Sequence, residues 1–192
     1  MIIFGLGNPG LKYRRTRHNA GYLFLEELAR ASKKRFTNRQ LYRQATLRIG
    51  KKHVRLIKPN CWMNQCGIVI HGMLQGEKQD FFVVLDDVNL PLGRMRLRGG
   101  GSDGGHLGLR SIIESLQTCD FPRLRIGIGQ PSIDTEEYVL KRFTSEEMRI
   151  LNRVMIHGMR GIRVLFKQGF VKAQNYINSF NIEDIELDAD GL

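Results

Sequence analysis

Short apolar segments of strand length alternate along this chain with segments of helical periodicity. Residues 2–6 (IIFGL), 81–86 (FFVVLD) and 122–129 (PRLRIGIG) predict buried strands. Between the first two, residues 20–34 place their apolar side chains on one stripe of a helix. Strands interleaved with helices predict an α/β fold, in which helices flank a twisted, mixed and largely parallel sheet. Functional residues are then expected in loops at the carboxyl ends of strands.

The remaining pattern completes this architecture. Glu147 follows Thr144 and Ser145 at the spacing of a capping box, so a long helix should begin there and end before Gly169. The other predicted elements are a hairpin over 42–57 turning at Gly50-Lys51, helices over 61–75, 106–117 and 171–179, a strand over 95–99, and a short element over 138–143. With 192 residues, of which 42% are hydrophobic, we expect a single domain over 1–180 and a flexible acidic tail over 181–192.

Positive charge dominates the body of the chain. The first 180 residues hold 30 basic and 14 acidic side chains, a net charge of +16, whereas residues 181–192 hold five acids and no base. Such a body favours a phosphate-rich partner, although a basic surface can also serve solubility alone. No apolar run is long enough to cross a membrane, no secretory signal precedes the first strand, and three cysteines suit a reducing compartment. We therefore expect a cytoplasmic protein without a disulfide framework.

Two glycine-rich loops could hold an anionic ligand. Gly5, Gly7 and Gly10 have the spacing of the dinucleotide-binding fingerprint, but that motif needs a helix to begin at its last glycine. Here Gly10 is followed by LKYRRTR, which has no apolar stripe, and no acidic residue stands where a ribose would need it. The second loop, residues 99–105 (GGGSDGG), lacks the Lys-Ser/Thr ending of a P-loop. A dinucleotide oxidoreductase and a nucleoside triphosphatase are both disfavoured.

Arginines accompany the second loop at strand periodicity. Alternating positions project to one side of a strand, and guanidinium groups bind phosphate well. The arginines that show this alternation are Arg94, Arg96, Arg98, Arg123 and Arg125. The alternative is a solvated strand face, but two such rows beside a glycine loop favour phosphate binding.

His18 and Asp86 are the candidates for chemistry. His18 lies on a charged loop before a helix, and Asp86 ends an apolar strand, where a carboxylate could orient the imidazole and raise its basicity. Without a nucleophilic Ser or Cys, such a pair suggests activation of water. The alternatives are a capping histidine and a turn aspartate, and Asp87 competes with Asp86. Five histidines lack metal-ligand spacing, and Cys61-x4-Cys66 lacks a second half-site, so no metal is expected.

The segment after the hairpin carries further polar and aromatic candidates. Asn64 could donate an amide hydrogen bond toward a carbonyl oxygen, or it could be an ordinary amide on a helix surface. Trp62 and Met63 could pack in the core, whereas an exposed Trp62 would offer a stacking face for a base.

Four sequence blocks resemble the signatures of bacterial peptidyl-tRNA hydrolases. The blocks are GLGNPGLKYRRTRHNAG (5–21), KPNCWMNQCG (58–67), LDDVNLPLGRMRLRGGGSDGGHLGL (85–109) and RLRIGIGQP (123–131). The resemblance runs in register from Met1 to about Phe180. It implies an enzyme that cleaves the ester joining a peptide to tRNA, without a metal or cofactor and as a monomer.

The resemblance also assigns roles to individual positions. His18 would be the general base, Asp86 would hold it in its basic form, and Asn8 would distinguish a blocked peptidyl substrate from a free aminoacyl one. Asn64 would act with these catalytic residues. Positions that match substrate contacts are Tyr13, Trp62, Met63 and Asn64 at the tRNA end, and Arg96, Arg98 and Arg125 at tRNA phosphates.

One position departs from the family pattern. The family usually has GGHNGL after the glycine loop, whereas residues 104–109 read GGHLGL, so Leu107 stands at a substrate-binding position that normally holds an amide. Leucine can neither donate nor accept a hydrogen bond. Loss of one such donor costs on the order of a hundredfold in rate, which predicts a slow hydrolase. The alternative is a non-catalytic or weakly active RNA-binding relative of the same fold.

Overall fold

The computed structural model describes residues 1–75, 80–131 and 133–181, and a mixed sheet runs through this part of the chain. Its strands are β1 (Ile2–Gly5), β2 (Thr37–Asn38), β3 (Tyr42–Ile49), β4 (Lys52–Pro59), β5 (Phe81–Asp87), β6 (Met95–Arg98) and β7 (Arg123–Gly127), in the spatial order β2-β3-β4-β1-β5-β7-β6. The central strands β4, β1, β5 and β7 pair in parallel, and the outer pairings are antiparallel. The predicted α/β fold with a mixed sheet is confirmed.

Helices cover both faces of this sheet. They are α1 (Ala20–Ala31), α2 (Cys66–Leu74), α3 (Leu107–Leu116), α4 (Thr135–Leu140), α5 (Ser145–Gln168) and α6 (Phe170–Ser179). Apolar side chains of α1, α5 and α6 form one core cluster, and those of α2 and α3 form the other. Because side chains alternate along β1, Ile3 packs in the first cluster while Ile2 and Phe4 pack in the second. Within the described residues, we find no helix with the length and apolarity that crossing a bilayer requires.

Helix α5 begins and ends at the predicted signals. The Thr144 side chain accepts a hydrogen bond from the backbone N–H of Glu147, and the Glu147 carboxylate accepts one from the backbone N–H of Thr144. This reciprocal pair is a capping box. At the other end Gly169 has a φ of +86°, a conformation that favours glycine and that terminates the helix.

Two predicted elements differ from the observed ones. The helix expected over 61–75 is divided into a single 3₁₀ turn, Met63–Gln65, and α2, which starts at Cys66. Of the short element expected over 138–143, residues 138–140 form the second half of α4 and residues 141–143 lie beyond its end; the start of α4 at Thr135 is capped by the Asp134 side chain. That cap accepts hydrogen bonds from two backbone N–H groups in the first turn, a signal present in the sequence as Asp-Thr-Glu-Glu. Apart from its first residue, the predicted acidic tail lies outside the described residues.

Candidate active site

A histidine, an aspartate and a second histidine meet at the carboxyl end of β5. The Nδ1 atom of His18 lies 3.1 and 3.0 Å from the two carboxylate oxygens of Asp86, and the Nε2 atom of His106 lies 3.0 Å from one of them. Asp86 is 2% exposed, and the two imidazole rings are 4.9 Å apart. The structure thus brings together His18 and Asp86, which are 68 positions apart in sequence.

The loop that carries His18 is fixed from two sides. Arg17 donates to both carboxylate oxygens of Glu147, at 2.6 and 2.8 Å, and to the carbonyl of Arg142, which ties the loop to the start of α5. Three residues after His18, Gly21 packs against the sheet so closely that a Cβ there would overlap the carbonyl oxygen of Val84. The imidazole is therefore held against the end of β5 by packing on one side and an ion pair on the other.

His106 is a member of this cluster that the sequence patterns did not identify as a site residue. Its Nδ1 atom accepts a hydrogen bond of 3.1 Å from the backbone N–H of Leu109 and so caps α3. An imidazole nitrogen that accepts a hydrogen bond carries no proton, so in neutral His106 the proton is on Nε2 and is donated to Asp86. The position of His106 just before a helix is a capping signal, but its contact with Asp86 depends on the tertiary fold.

Burial and charge act in opposite directions on the pKa values of this cluster. Burial lowers the pKa of His18, but the negative charge and hydrogen bond of Asp86 raise it, and the net effect is a raised pKa. Burial raises the pKa of Asp86, yet the charges and hydrogen bonds of His18 and His106 hold it well below its usual range. Asp86 is therefore a carboxylate at neutral pH, and it orients a His18 imidazole whose Nδ1–H points at it. The Nε2 of His18 is then the atom that can accept a proton.

These three side chains are also the one group among the described residues that could hold a metal ion. Their ligand atoms lie within 4.8 Å of one another, although sequence spacing gave no sign of such a group. The nitrogens of His18 and His106 that face Asp86 lie at hydrogen-bonding distance from its carboxylate, and the other nitrogen of His106 caps α3. The geometry is that of a hydrogen-bonded His–Asp–His chain.

A cavity of about 720 Å³ opens beside this chain. One wall is formed by His18, Asp86 and His106, and the glycine-rich segment 100–105 forms another part of the lining. The cavity also contacts predicted substrate-binding residues, namely Leu107, Arg98 and Arg125. Leu107 is the first residue of α3 and is 41% exposed, so an apolar side chain occupies the rim next to His106.

Asn8 and the segment 62–64 form a second group beside the first. The Asn8 side-chain oxygen accepts a hydrogen bond of 2.9 Å from the backbone N–H of Met63. The backbone of Asn8 is itself held by the Asn19 side chain through bonds of 2.8 and 3.0 Å. Met63 is buried against Gly108 of α3, where a Cβ would overlap the Met63 sulfur. Asn8 and Met63 are thereby fixed relative to the start of α3, whereas Asn64 is exposed.

Tyr13 and Trp62 form an aromatic pair on the surface of this group. Their rings meet edge to face with centroids 5.7 Å apart, and Trp62 is 49% exposed. The exposed indole face agrees with the stacking interpretation of Trp62 and not with the core interpretation. Met63, in contrast, is buried, so its side chain anchors the segment 62–64 to the protein interior.

The arginine rows lie on one face of the sheet, but their members differ in environment. Arg96 lies opposite Arg125 across β6 and β7, and Arg98 lies opposite Arg123. Arg123 is 2% exposed and donates to the carbonyls of residues 101, 102 and 119, so it holds the glycine loop and is not available to phosphate. Arg125 pairs with Asp87, which projects to the other face of β5 from Asp86, so Asp86 and not Asp87 lies beside His18.

Arg94, the first residue of the predicted row, also has a structural partner. It precedes β6 and donates a hydrogen bond of 2.6 Å to the carbonyl of Phe180, at the end of α6. Of the five arginines, Arg96 and Arg98 therefore retain side chains that reach solvent without such a partner among the described residues.

Comparisons with known proteins agree on one family. Residues 2–185 match the family model described as peptidyl-tRNA hydrolase. The peptidyl-tRNA hydrolase of Desulfitobacterium hafniense is 43% identical over 182 residues, which cover 92% of this chain and 98% of the relative. The peptidyl-tRNA hydrolase of Thermodesulfovibrio yellowstonii is 40% identical over 184 residues, which cover 93% of this chain and 98% of the relative. The crystal structure of peptidyl-tRNA hydrolase from Acinetobacter baumannii superposes with a TM-score of 0.86 at 32% identity, covering 94% of this chain and 95% of that one. The family expected from the four sequence blocks is confirmed, and this chain belongs to the peptidyl-tRNA hydrolases.

Proposed function

We propose that this protein hydrolyses the ester bond between peptide and tRNA in peptidyl-tRNA, with His18 activating the attacking water. The observation that carries the proposal is the buried His18–Asp86 pair at the edge of a cavity that Arg98 and Arg125 also reach. Relatives that cover nearly the whole chain bear the name of this activity. We further propose that the protein acts in the cytoplasm as a monomer.

The chemistry follows from the protonation states of the cluster. Asp86 accepts the Nδ1–H of His18, so the Nε2 atom takes a proton from water as the water oxygen attacks the ester carbonyl. The resulting imidazolium, stabilised by the Asp86 charge, then gives this proton to the departing ribose oxygen. We assign Asn64 to the carbonyl side, where its amide N–H would donate to the oxygen that becomes negative, and Asn8 to the distinction between a blocked peptidyl substrate and a free aminoacyl one.

The surfaces around the cluster suit the two ends of the substrate. The exposed face of Trp62, supported edge-on by Tyr13, offers a stacking platform for a terminal base. Met63, buried against Gly108, would support this platform from the protein interior. Arg96 and Arg98 would bind phosphates of the acceptor end, and so would the part of the Arg125 guanidinium that its ion pair with Asp87 leaves exposed.

The pH profile tests the proposed base. We expect kcat/KM for tRNA release from a peptidyl-tRNA to rise with pH, with a midpoint above 6.5 because Asp86 raises the pKa of His18. Below that midpoint the imidazolium cannot accept a proton. The measurement is release of deacylated tRNA between about pH 5 and pH 9, corrected for spontaneous hydrolysis without protein. A flat profile would contradict a histidine base, and absence of turnover at every pH would favour a non-catalytic RNA-binding relative.

Leu107→Asn tests the departure from the family pattern. An amide at the rim of the cavity, next to His106, would restore a group that can order water or substrate. We expect kcat to rise, by on the order of a hundredfold at most. Leu107→Ala is the matched control, because it removes the bulk of the side chain without adding an amide. Equal gains in both variants, or none in either, would contradict a role for the missing amide.

A further inference from the structure

Two cysteines flank the segment that carries the proposed substrate-binding residues. Cys61 precedes Trp62, Cys66 is the first residue of α2, and their Sγ atoms lie 3.9 Å apart. Cys66 also points its thiol at the Trp62 carbonyl, at 3.7 Å. A disulfide bond is about 2.05 Å long, so the two sulfurs would have to approach by roughly 1.9 Å. Side-chain rotation with a modest shift of the intervening backbone would achieve that.

The two thiols differ in the way that a dithiol redox site requires. Cys61 is partly exposed, and its hydrogen-bonding contact with the Cys66 sulfur lowers its pKa, which favours the reactive thiolate. Cys66 is buried, and its hydrogen bond with Cys61 and its burial both raise its pKa. Cys61 therefore suits attack on an incoming disulfide, and Cys66 suits the second, resolving step. The third cysteine, Cys119, is exposed and lies in the loop before β7.

We propose that Cys61 and Cys66 form a reversible dithiol–disulfide site whose oxidation displaces the segment 62–64, with a low-molecular-weight disulfide as oxidant. The Cys61 thiolate attacks one sulfur of the oxidant, forms a mixed disulfide and releases one thiolate. Cys66 then loses its proton and attacks the Cys61 sulfur, which forms the intramolecular disulfide and releases a second thiolate. Two electrons pass from the protein thiols to the oxidant, and two small-molecule thiols result.

Closure of this disulfide affects the hydrogen bond between the Met63 backbone and the Asn8 side chain. The four residues between the cysteines contain Met63, whose backbone N–H binds the Asn8 side chain at 2.9 Å, and Trp62, whose ring contacts Tyr13. Drawing Cys61 toward Cys66 shortens the span of this loop, and a shift of its backbone weakens the bond between the Met63 N–H and Asn8. We expect kcat/KM to fall by about five- to tenfold, the factor that corresponds to one lost hydrogen bond. This effect on turnover rests on the proposed function.

The test uses oxidised glutathione and the full chain. Trp62 is the only tryptophan, so its fluorescence reports on the segment directly. On oxidation we expect free thiols to fall from three to one, the intact mass to drop by two hydrogen atoms, and Trp62 fluorescence to change, all reversed by dithiothreitol. Cys119→Ser is the matched control and should retain the fluorescence change and the fall in turnover. Cys61→Ser and Cys66→Ser should each abolish both.

Different results would contradict the disulfide itself and its effect on the segment 62–64. A stable glutathione adduct on Cys61, or oxidation confined to Cys119, would overturn the disulfide. A disulfide that leaves Trp62 fluorescence and turnover unchanged would overturn its control of the segment. If the reduced protein shows no turnover, the proposed function fails, whereas the mass and fluorescence measurements still decide the redox site.

Discussion

Replacing His18 by alanine is expected to lower kcat/KM for peptidyl-tRNA hydrolysis by about a thousandfold, within the range attributed to a general base. Alanine removes the Nε2 atom that accepts the proton of the attacking water. The substitution leaves Asp86 hydrogen-bonded to His106, so the buried carboxylate keeps one partner. Arg17 and Gly21 still fix the loop, and the variant should fold and bind uncharged tRNA with little change.

His53→Ala is the matched control for this variant. His53 is an exposed histidine in β4, paired across the hairpin with Arg48 and far along the sheet from Asp86. Its replacement should leave kcat/KM unchanged. The measurements are tRNA release at saturating and limiting substrate, with binding of deacylated tRNA as the readout of folding. Full turnover in His18→Ala would refute the assignment of His18 as the base.

The architecture was predictable because its signals are local. Alternating apolar segments located the strands of the parallel centre, and the capping box at Thr144 located the start of α5. The break between residues 65 and 66 was not predictable, because both sides of it have helical character in sequence. In the structure Met63 is held by Asn8 and Gly108, and these long-range contacts favour a 3₁₀ turn ahead of α2.

The site was only partly predictable, because its contacts cross the fold. The sequence places Asp86 at the carboxyl end of β5 and His18 on the loop that follows β1. Because parallel strands present their carboxyl ends at one edge of the sheet, these two residues are expected to lie close together. His106 could not be found in this way, because its role depends on a contact with Asp86 across the sheet edge. The alternation of arginines predicted a shared face correctly, but it could not show that Arg123 is buried beneath the glycine loop.

Asp86 accepts hydrogen bonds from two histidines, and so it links His18 to His106 at the start of α3. Hydrogen bonds from both histidines, and the positive charge that His18 gains when it is protonated, keep Asp86 ionised despite its burial. The backbone N–H of Leu109 fixes the tautomer of His106, so α3 indirectly helps to hold the Asp86 carboxylate in place. The helix that carries Leu107 is thus connected through His106 and Asp86 to the proposed base in the same wall of the cavity.

Asp86→Asn is the second substitution with a large expected effect. An asparagine has nearly the same shape, but its amide N–H₂ can donate to the Nδ1 atom of His18. The neutral imidazole would then carry its proton on Nε2, the atom that must accept a proton from water. We expect kcat/KM to fall by about a thousandfold or more, as for other wrong-tautomer substitutions in His–Asp pairs. Asp120→Asn, at an exposed carboxylate in the loop before β7, should have no such effect.

The pH dependence of the residual activity of Asp86→Asn gives a second, independent test of the role of Asp86. The Asp86 charge and hydrogen bond raise the pKa of His18, so their removal leaves burial, which lowers it. The midpoint of the pH profile should therefore move to lower pH than in the unsubstituted protein, even as the maximal rate falls. Measuring kcat/KM across the same pH range for both proteins tests the sign of this shift. A shift toward higher pH, or an unchanged rate, would show that Asp86 does not hold His18 in its basic form.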